Sequence, residues 1–279
     1  MEKINGILEQ LEAEAAGGKM VFPTHMEMAL RVRRAIDDPE SSLDQLGTLI
    51  RAEPLLAARA VAMANSVIYN RSGQPITDVQ RAISWVGLKA LSGLAMALLV
   101  RQMQEMSTLP AHRKLASGLW DHTAHVASLA YVLASRITHQ DPNVAFFAGI
   151  VHEVGGFYLI SRAASFPGLL EAPLEGWYRS GEVRLGRAVL KALEVPQPVV
   201  EAIESMWEGN LMPLPVSLGD TLQLAVRLAH VSPLDVLSNQ VPEGGDGADI
   251  DFALGDGNLG GILEDSAEEV ASLIAALKS

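Results

Sequence analysis

His152 and Glu153 stand side by side in AFFAGIVHEVGGFYLI, residues Ala145–Ile160. Apart from Tyr158 they are the only ionisable side chains in that segment; everything else is apolar, aromatic or glycine. A histidine next to a carboxylate can supply two metal ligands, an acid/base pair, or the remnant of either. A buried carboxylate without a partner is costly or takes up a proton, so Glu153 requires one. His122 is the first candidate and an arginine the second. His122 lies on an apolar stripe with Leu115, Leu119, Val126, Leu129 and Leu133. A histidine on such a stripe also serves as an ordinary hydrogen-bonded core residue. A self-satisfying structural pair and a metal site therefore both stand.

The elements that must position these residues read as helices. Thr24-x-x-Glu27 after Pro23 and Ser42-x-x-Gln45 have the form of capping boxes. Glu53-Pro54 is a third start, with proline in the first turn. Thr77-x-x-Gln80 opens a fourth helix, which Gly87 ends or bends. Leu88–Met106 is apolar nearly all round and is expected to be buried. Breakers at Ser107–Pro110 precede the His122 stripe. Further helices are expected at Gly181–Leu193, Pro196–Trp207 and Ser217–His230. No strand alternation is evident, and the fold class is all-α. Arg31, Arg33, Arg34, Arg51 and Arg59 read as solvated helix faces, with an anion or acidic-partner site as the alternative. Asn65-Ser66 reads as a capping and turn device. Trp85, Trp120, Trp177 and Trp207 read as core or lobe-interface residues.

Composition narrows the function classes. The chain has 279 residues, 49% of them hydrophobic and 19% charged, with a net charge of −12. That is a globular composition. So acidic a surface argues against nucleic-acid binding and against docking on an anionic membrane. There is no cysteine, which excludes disulfides, thiol catalysis and zinc–thiolate sites. Met1–Ala16 is acidic and amphipathic, unlike a signal peptide, and Leu88–Val100 is too short to span a bilayer. The expected location is cytoplasmic.

Several blocks resemble the HDOD family, bacterial signalling domains related to the HD phosphohydrolases. LIRAEPLLAARAVAMANSVIYN (Leu49–Asn70) is similar to I-x-x-D-P-x-L-x-x-x-x-L-x-x-A-N-S-x-x-Y, with Glu53 in place of the aspartate. PITDVQRAISWVGLKALSGLAMAL (Pro75–Leu98) resembles the continuation with A-I-x-x-L-G. LWDHTAHVA (Leu119–Ala127) resembles W-x-H-S-x-x-V-A, and GIVHEVGGFYL (Gly149–Leu159) stands in place of G-L-L-H-D-I-G-K-L-x-L.

The resemblance implies a compact helical fold of two lobes and a regulatory role in signalling. It also implies a metal-ligand set. His122 and His152 match the histidines, Glu153 replaces the aspartate with one more methylene, and Gly156 replaces the lysine. The later aspartate falls nearest His230 in RLAHVS, with Asp220 upstream. The expected organisation is an N-terminal helix at 1–21 and an HDOD-like unit at 22–238, divided into lobes 22–107 and 108–238. An acidic Gly-rich linker at 239–261 and a C-terminal amphipathic helix at 262–279 follow. That last helix can dock back or meet a partner.

The expected function is a non-catalytic regulatory module that contacts other signalling proteins. The alternatives are a divergent metal-dependent phosphohydrolase and a sensor of a small nucleotide or similar ligand. No cofactor is expected under the first reading. Iron, manganese or zinc is the alternative, at His122, His152, Glu153 and His230.

Overall fold

The computed structural model describes residues 2–17, 26–107, 109–167, 169–170, 181–209, 215–230, 232–234 and 259–278. All its regular elements are helical, and the described residues contain no strand. The box Thr24-x-x-Glu27 begins outside the described residues, and so does Trp177.

Local chemistry explains the helix starts in the first half. Helices α1 (Glu2–Ala16) and α2 (Met26–Asp37) precede α3 (Leu43–Arg51). Ser42 and Gln45 close a full capping box on α3. Helix α4 (Pro54–Ala64) begins with proline in its first turn, Glu53 being the N-cap. The next helix, α5 (Val79–Val86), starts one residue later than the sequence pattern suggests. Its cap is Asp78, whose carboxylate accepts from Arg81 N at 2.9 Å. Gly87 then takes φ +82° and turns the chain by 111° into α6 (Leu88–Glu105). A β-carbon disfavours that φ, and glycine has none.

Asn65 is the architectural residue of the A-N-S turn. Its amide nitrogen donates to Val61 O and Ile76 O, and its amide oxygen accepts from Ile76 N at 2.8 Å. One side chain thereby satisfies both backbone groups of the buried Ile76.

The second half is built on α7 (Pro110–Leu133), which passes into a π-turn at Ala134–Thr138. Helices α8 (Pro142–Val151) and α9 (Val154–Arg162) follow, separated by a break at His152–Glu153. Together Pro142–Ser165 are long and apolar enough to cross a membrane, but 94% of the 18-residue apolar window within it is buried inside the protein. Helices α10 (Glu182–Ala192), α11 (Gln197–Glu208) and α12 (Leu218–Leu228) complete this half. The chain ends in α13 (Leu259–Asp265) and α14 (Ala267–Lys278). Residues 259–261, expected in the linker, are therefore helical; 239–258 lie outside the described residues.

One contiguous core runs through both halves, with α6 and α7 packed on α8 at its centre. Arg33 ties the halves together and is not a solvated residue. It is 5% exposed, and its guanidinium donates to the carbonyls of Leu193 and Glu194 just past α10. Arg34 pairs with the Glu194 carboxylate at 2.7 Å. Arg59 is also buried, and burial followed by repulsion from Arg101 pushes its guanidinium down to about 10. Trp120 lies in the core as expected, whereas Trp85 is 47% exposed.

Candidate metal centre

His122 and His152 come from neighbouring helices that approach unusually closely. A β-carbon on Gly149 would lie 2.5 Å from Ala127 Cα, so α8 rests directly on the α7 backbone. That contact sits one helical turn from His152 and little more than one from His122. Residue 152 then ends α8, and Glu153 (φ −107°, ψ 20°) breaks the helix before α9. The break lets two consecutive side chains face the same point, which an unbroken helix does not permit.

The geometry settles the tautomers. His122 Nδ1 lies 2.5 Å from His230 O, and His152 Nδ1 lies 2.7 Å from Gly149 O. A carbonyl only accepts, so in each ring Nδ1 carries the proton, and in a neutral ring Nε2 presents its lone pair. Both Nε2 atoms face Glu153 Oε2, at 3.8 Å from His122 and 4.0 Å from His152. These separations exceed a direct hydrogen bond and lie within ion-pair reach. Glu153 instead accepts from Ser232 Oγ through Oε1, at 2.8 Å. His152 Nε2 is buried and has no hydrogen-bond partner among the described residues. Burial, with His122 opposite, pushes the His152 imidazole down to about 3. Its lone pair is thus available at neutral pH.

Residues His122, His152 and Glu153 each offer one ligand atom, all within 4.8 Å of one another. Three donors at such spacings can close on a common ion by shifts of a few tenths of an ångström, Zn–N and Zn–O distances being about 2.0–2.2 Å. Imidazole and carboxylate suit zinc, iron or manganese. The backbone carbonyls behind both rings are the outer hydrogen bonds that fix ligating histidines. The residues present therefore fit a divalent cation, and the longer Glu153 side chain still reaches the group.

His230 does not bring its ring to this group. Helix α12 ends at Leu228, and Ala229 turns extended (φ −76°, ψ 167°). His230 is left exposed with its ring 4.7 Å from that of His125, and only its carbonyl faces His122. Asp220 is engaged elsewhere. Its Oδ2 accepts from Ser217 N at 2.9 Å, in a Ser217-x-x-Asp220 capping box that starts α12. Ser232 and Leu234 are the residues that sequence reasoning missed. Leu234 fills the space beside Gly156, where an added β-carbon would meet Leu234 Cδ1 at 2.5 Å. The space beside Gly156 is thus filled by a leucine from another part of the chain.

A cavity of about 250 Å³ opens beside the three donors, walled by Met206, Trp207 and Val226, with Glu182 and Arg227 on its lining. Trp207 Nε1 donates to Glu182 Oε1 at 3.1 Å, which fixes the indole. Trp207 is half-buried and part of this wall, a placement that no local pattern signals.

No curated protein matches the sequence. Solved structures do, at identities that speak to the fold. A candidate metal-dependent phosphohydrolase from Shewanella amazonensis shares 22% identity and a TM-score of 0.72, covering 99% of this chain and 100% of that one. An HDOD domain protein of unknown function from Geobacter sulfurreducens shares 19% identity and a TM-score of 0.60, covering 99% and 98%. A candidate signal transduction protein from Marinobacter aquaeolei shares 19% and a TM-score of 0.59, covering 94% of this chain and 61% of that one. The HDOD domain itself matches residues 22–208, spanning the A-N-S turn and all three donors. The chain belongs to the HDOD domain family.

Proposed function

We propose that the protein is a non-catalytic regulatory module that acts through contacts with other signalling proteins. In this reading it holds one divalent cation at His122, His152 and Glu153 as part of its folded core. The observation that carries the cation is the convergence of acceptors. Two imidazole lone pairs and a carboxylate oxygen meet within 4.8 Å in a buried site. Three electron-rich atoms so placed repel one another, and a cation between them removes the repulsion. Bound there, it supplies local positive charge and joins α7 to the α8–α9 break.

The absence of turnover rests on what surrounds the donors. Gly156 and Leu234 leave no cation at the lysine position. Among the described lining residues of the cavity, Arg227 is the one permanent cation, against the carboxylates of Glu153 and Glu182. Such walls are poorly matched to a phosphoester. The cavity itself favours the second reading, a divergent metal-dependent phosphohydrolase, because a three-ligand ion beside open space has room for water.

Metal analysis of protein purified without chelator tests the cation, and hydrolysis of bis-p-nitrophenyl phosphate with added manganese tests turnover. The expected result is stoichiometric iron, manganese or zinc in the wild type, none in His152→Ala, and no hydrolysis by either. Metal-free wild-type protein overturns the cation. Hydrolysis that His152→Ala abolishes overturns the regulatory reading in favour of the second.

A further inference from the structure

Helix α14 closes one side of the core through a single apolar face. It buries Val270, Leu273 and Leu277, spaced i, i+3 and i+7, and lies against α4 and α7. Its other face, with Glu268, Ala271 and Ala275, is exposed. An ion pair marks each end: Glu269 with Arg136 at 2.8 Å, and Lys278 with Asp121 at 2.6 Å. Between them Ser272 Oγ accepts from Val67 N at 3.1 Å, next to the A-N-S turn. The two ion pairs set direction as well as position. A helix in this groove needs a carboxylate near its N-terminal end and an ammonium at its C-terminal end. The family match stops at residue 208, and residues 235–258 separate α13 and α14 from the segment around Ser232.

We infer that the groove between α4 and α7 is the helix-docking surface of this module, with α14 as its resident, displaceable occupant. The partner that replaces it is an amphipathic helix of another protein, with the same apolar spacing and the same polarity of charge. This deepens the reading that the protein acts through protein contacts and rests on it. A tethered occupant sets a threshold, because a partner in trans must outcompete a helix held at high effective concentration. The groove also adjoins the donor cluster: Asp121, which holds Lys278, is the neighbour of His122 on α7.

A labelled peptide of residues 259–279, offered to the full chain, tests the inference. Leu273→Asp/Leu277→Asp in the full chain removes the apolar hold of its own α14. The peptide is expected to bind this variant saturably, one to one, and the wild type at least about tenfold more weakly. Adding Arg136→Glu to the variant weakens binding, and a Glu269→Lys peptide restores it. No binding to the variant, or equal binding to both proteins, overturns the inference. A variant or wild type that exchanges α14 between copies in a dimer overturns the heterologous partner and names a second copy as occupant. Hydrogen exchange on the wild type keeps the test alive if the variant does not fold. Amides of α14 are expected to exchange well before those of α7, and equal protection overturns displaceability. Phosphodiester hydrolysis would sink the non-catalytic reading and leave these binding results unchanged, so the two failures are distinct.

Discussion

Gly149→Ala is the sharpest test of how the donors are held. The new β-carbon would stand 2.5 Å from Ala127 Cα and 2.9 Å from Ala127 N. Ordinary carbon contacts lie near 3.5–4.0 Å, so α8 and α7 must part by about 1 Å. The obstacle is backbone, which no rotamer change can clear. Overpacking of this kind costs about 1–3 kcal/mol, and a backbone obstacle belongs at the upper end. Replacing glycine in a helix returns about 1 kcal/mol. The net loss is about 2 kcal/mol, which lowers Tm by about 4–8 °C for a chain of this size. Gly6→Ala is the control: nothing lies within 4 Å of its added carbon, so that variant keeps the helix gain without the clash. Thermal unfolding of the two variants beside wild type reads the difference. The same separation widens the 3.8 Å between His122 on α7 and Glu153, so metal affinity falls as well. A Gly149→Ala protein that melts at or above the wild-type temperature refutes the close-contact argument.

Three further outcomes follow from single side chains. Ser232→Ala removes the hydroxyl that holds Glu153 Oε1 and is expected to weaken manganese binding about 10–100-fold by calorimetric titration; unchanged affinity shows that Ser232 does not orient the carboxylate. Asn65→Ala strips the buried Ile76 of both its backbone partners and is expected to cost about 2 kcal/mol in urea unfolding, with a loss below about 0.5 kcal/mol counting against the turn's architectural role. At Asp141 burial pushes the carboxyl up, but the Lys89 ammonium at 2.6 Å and the amides of Asn143 and Val144 outweigh it and hold the group below its usual range. A depressed carboxyl stabilises above its unfolded value and loses that contribution as pH falls through the folded one. The stability gap between wild type and Asp141→Ala is therefore full at neutral pH and shrinks below about pH 4; a gap that widens toward acid refutes the assignment.

The parts of this site that were legible in the sequence are those set by local chemistry. Ser42-x-x-Gln45 and Glu53-Pro54 start helices where their patterns say, because a cap satisfies donors within three residues of itself. His122 and His152 stand out because each interrupts an apolar face. His230 misled for a backbone reason: Ala229 leaves the helix, so the ring turns to His125 and only the carbonyl returns to His122. The S-x-x-D pattern at Ser217–Asp220 was a readable warning that Asp220 was committed to a cap. Nothing local could have announced Ser232, whose bond to Glu153 spans 79 positions. That same short segment meets the donors at three points. His230 supplies a carbonyl to His122, Ser232 a hydroxyl to Glu153, and Leu234 its side chain over Gly156. A side chain at 156 would meet the tip of Leu234 first, so the glycine there and the placing of Leu234 over it belong together.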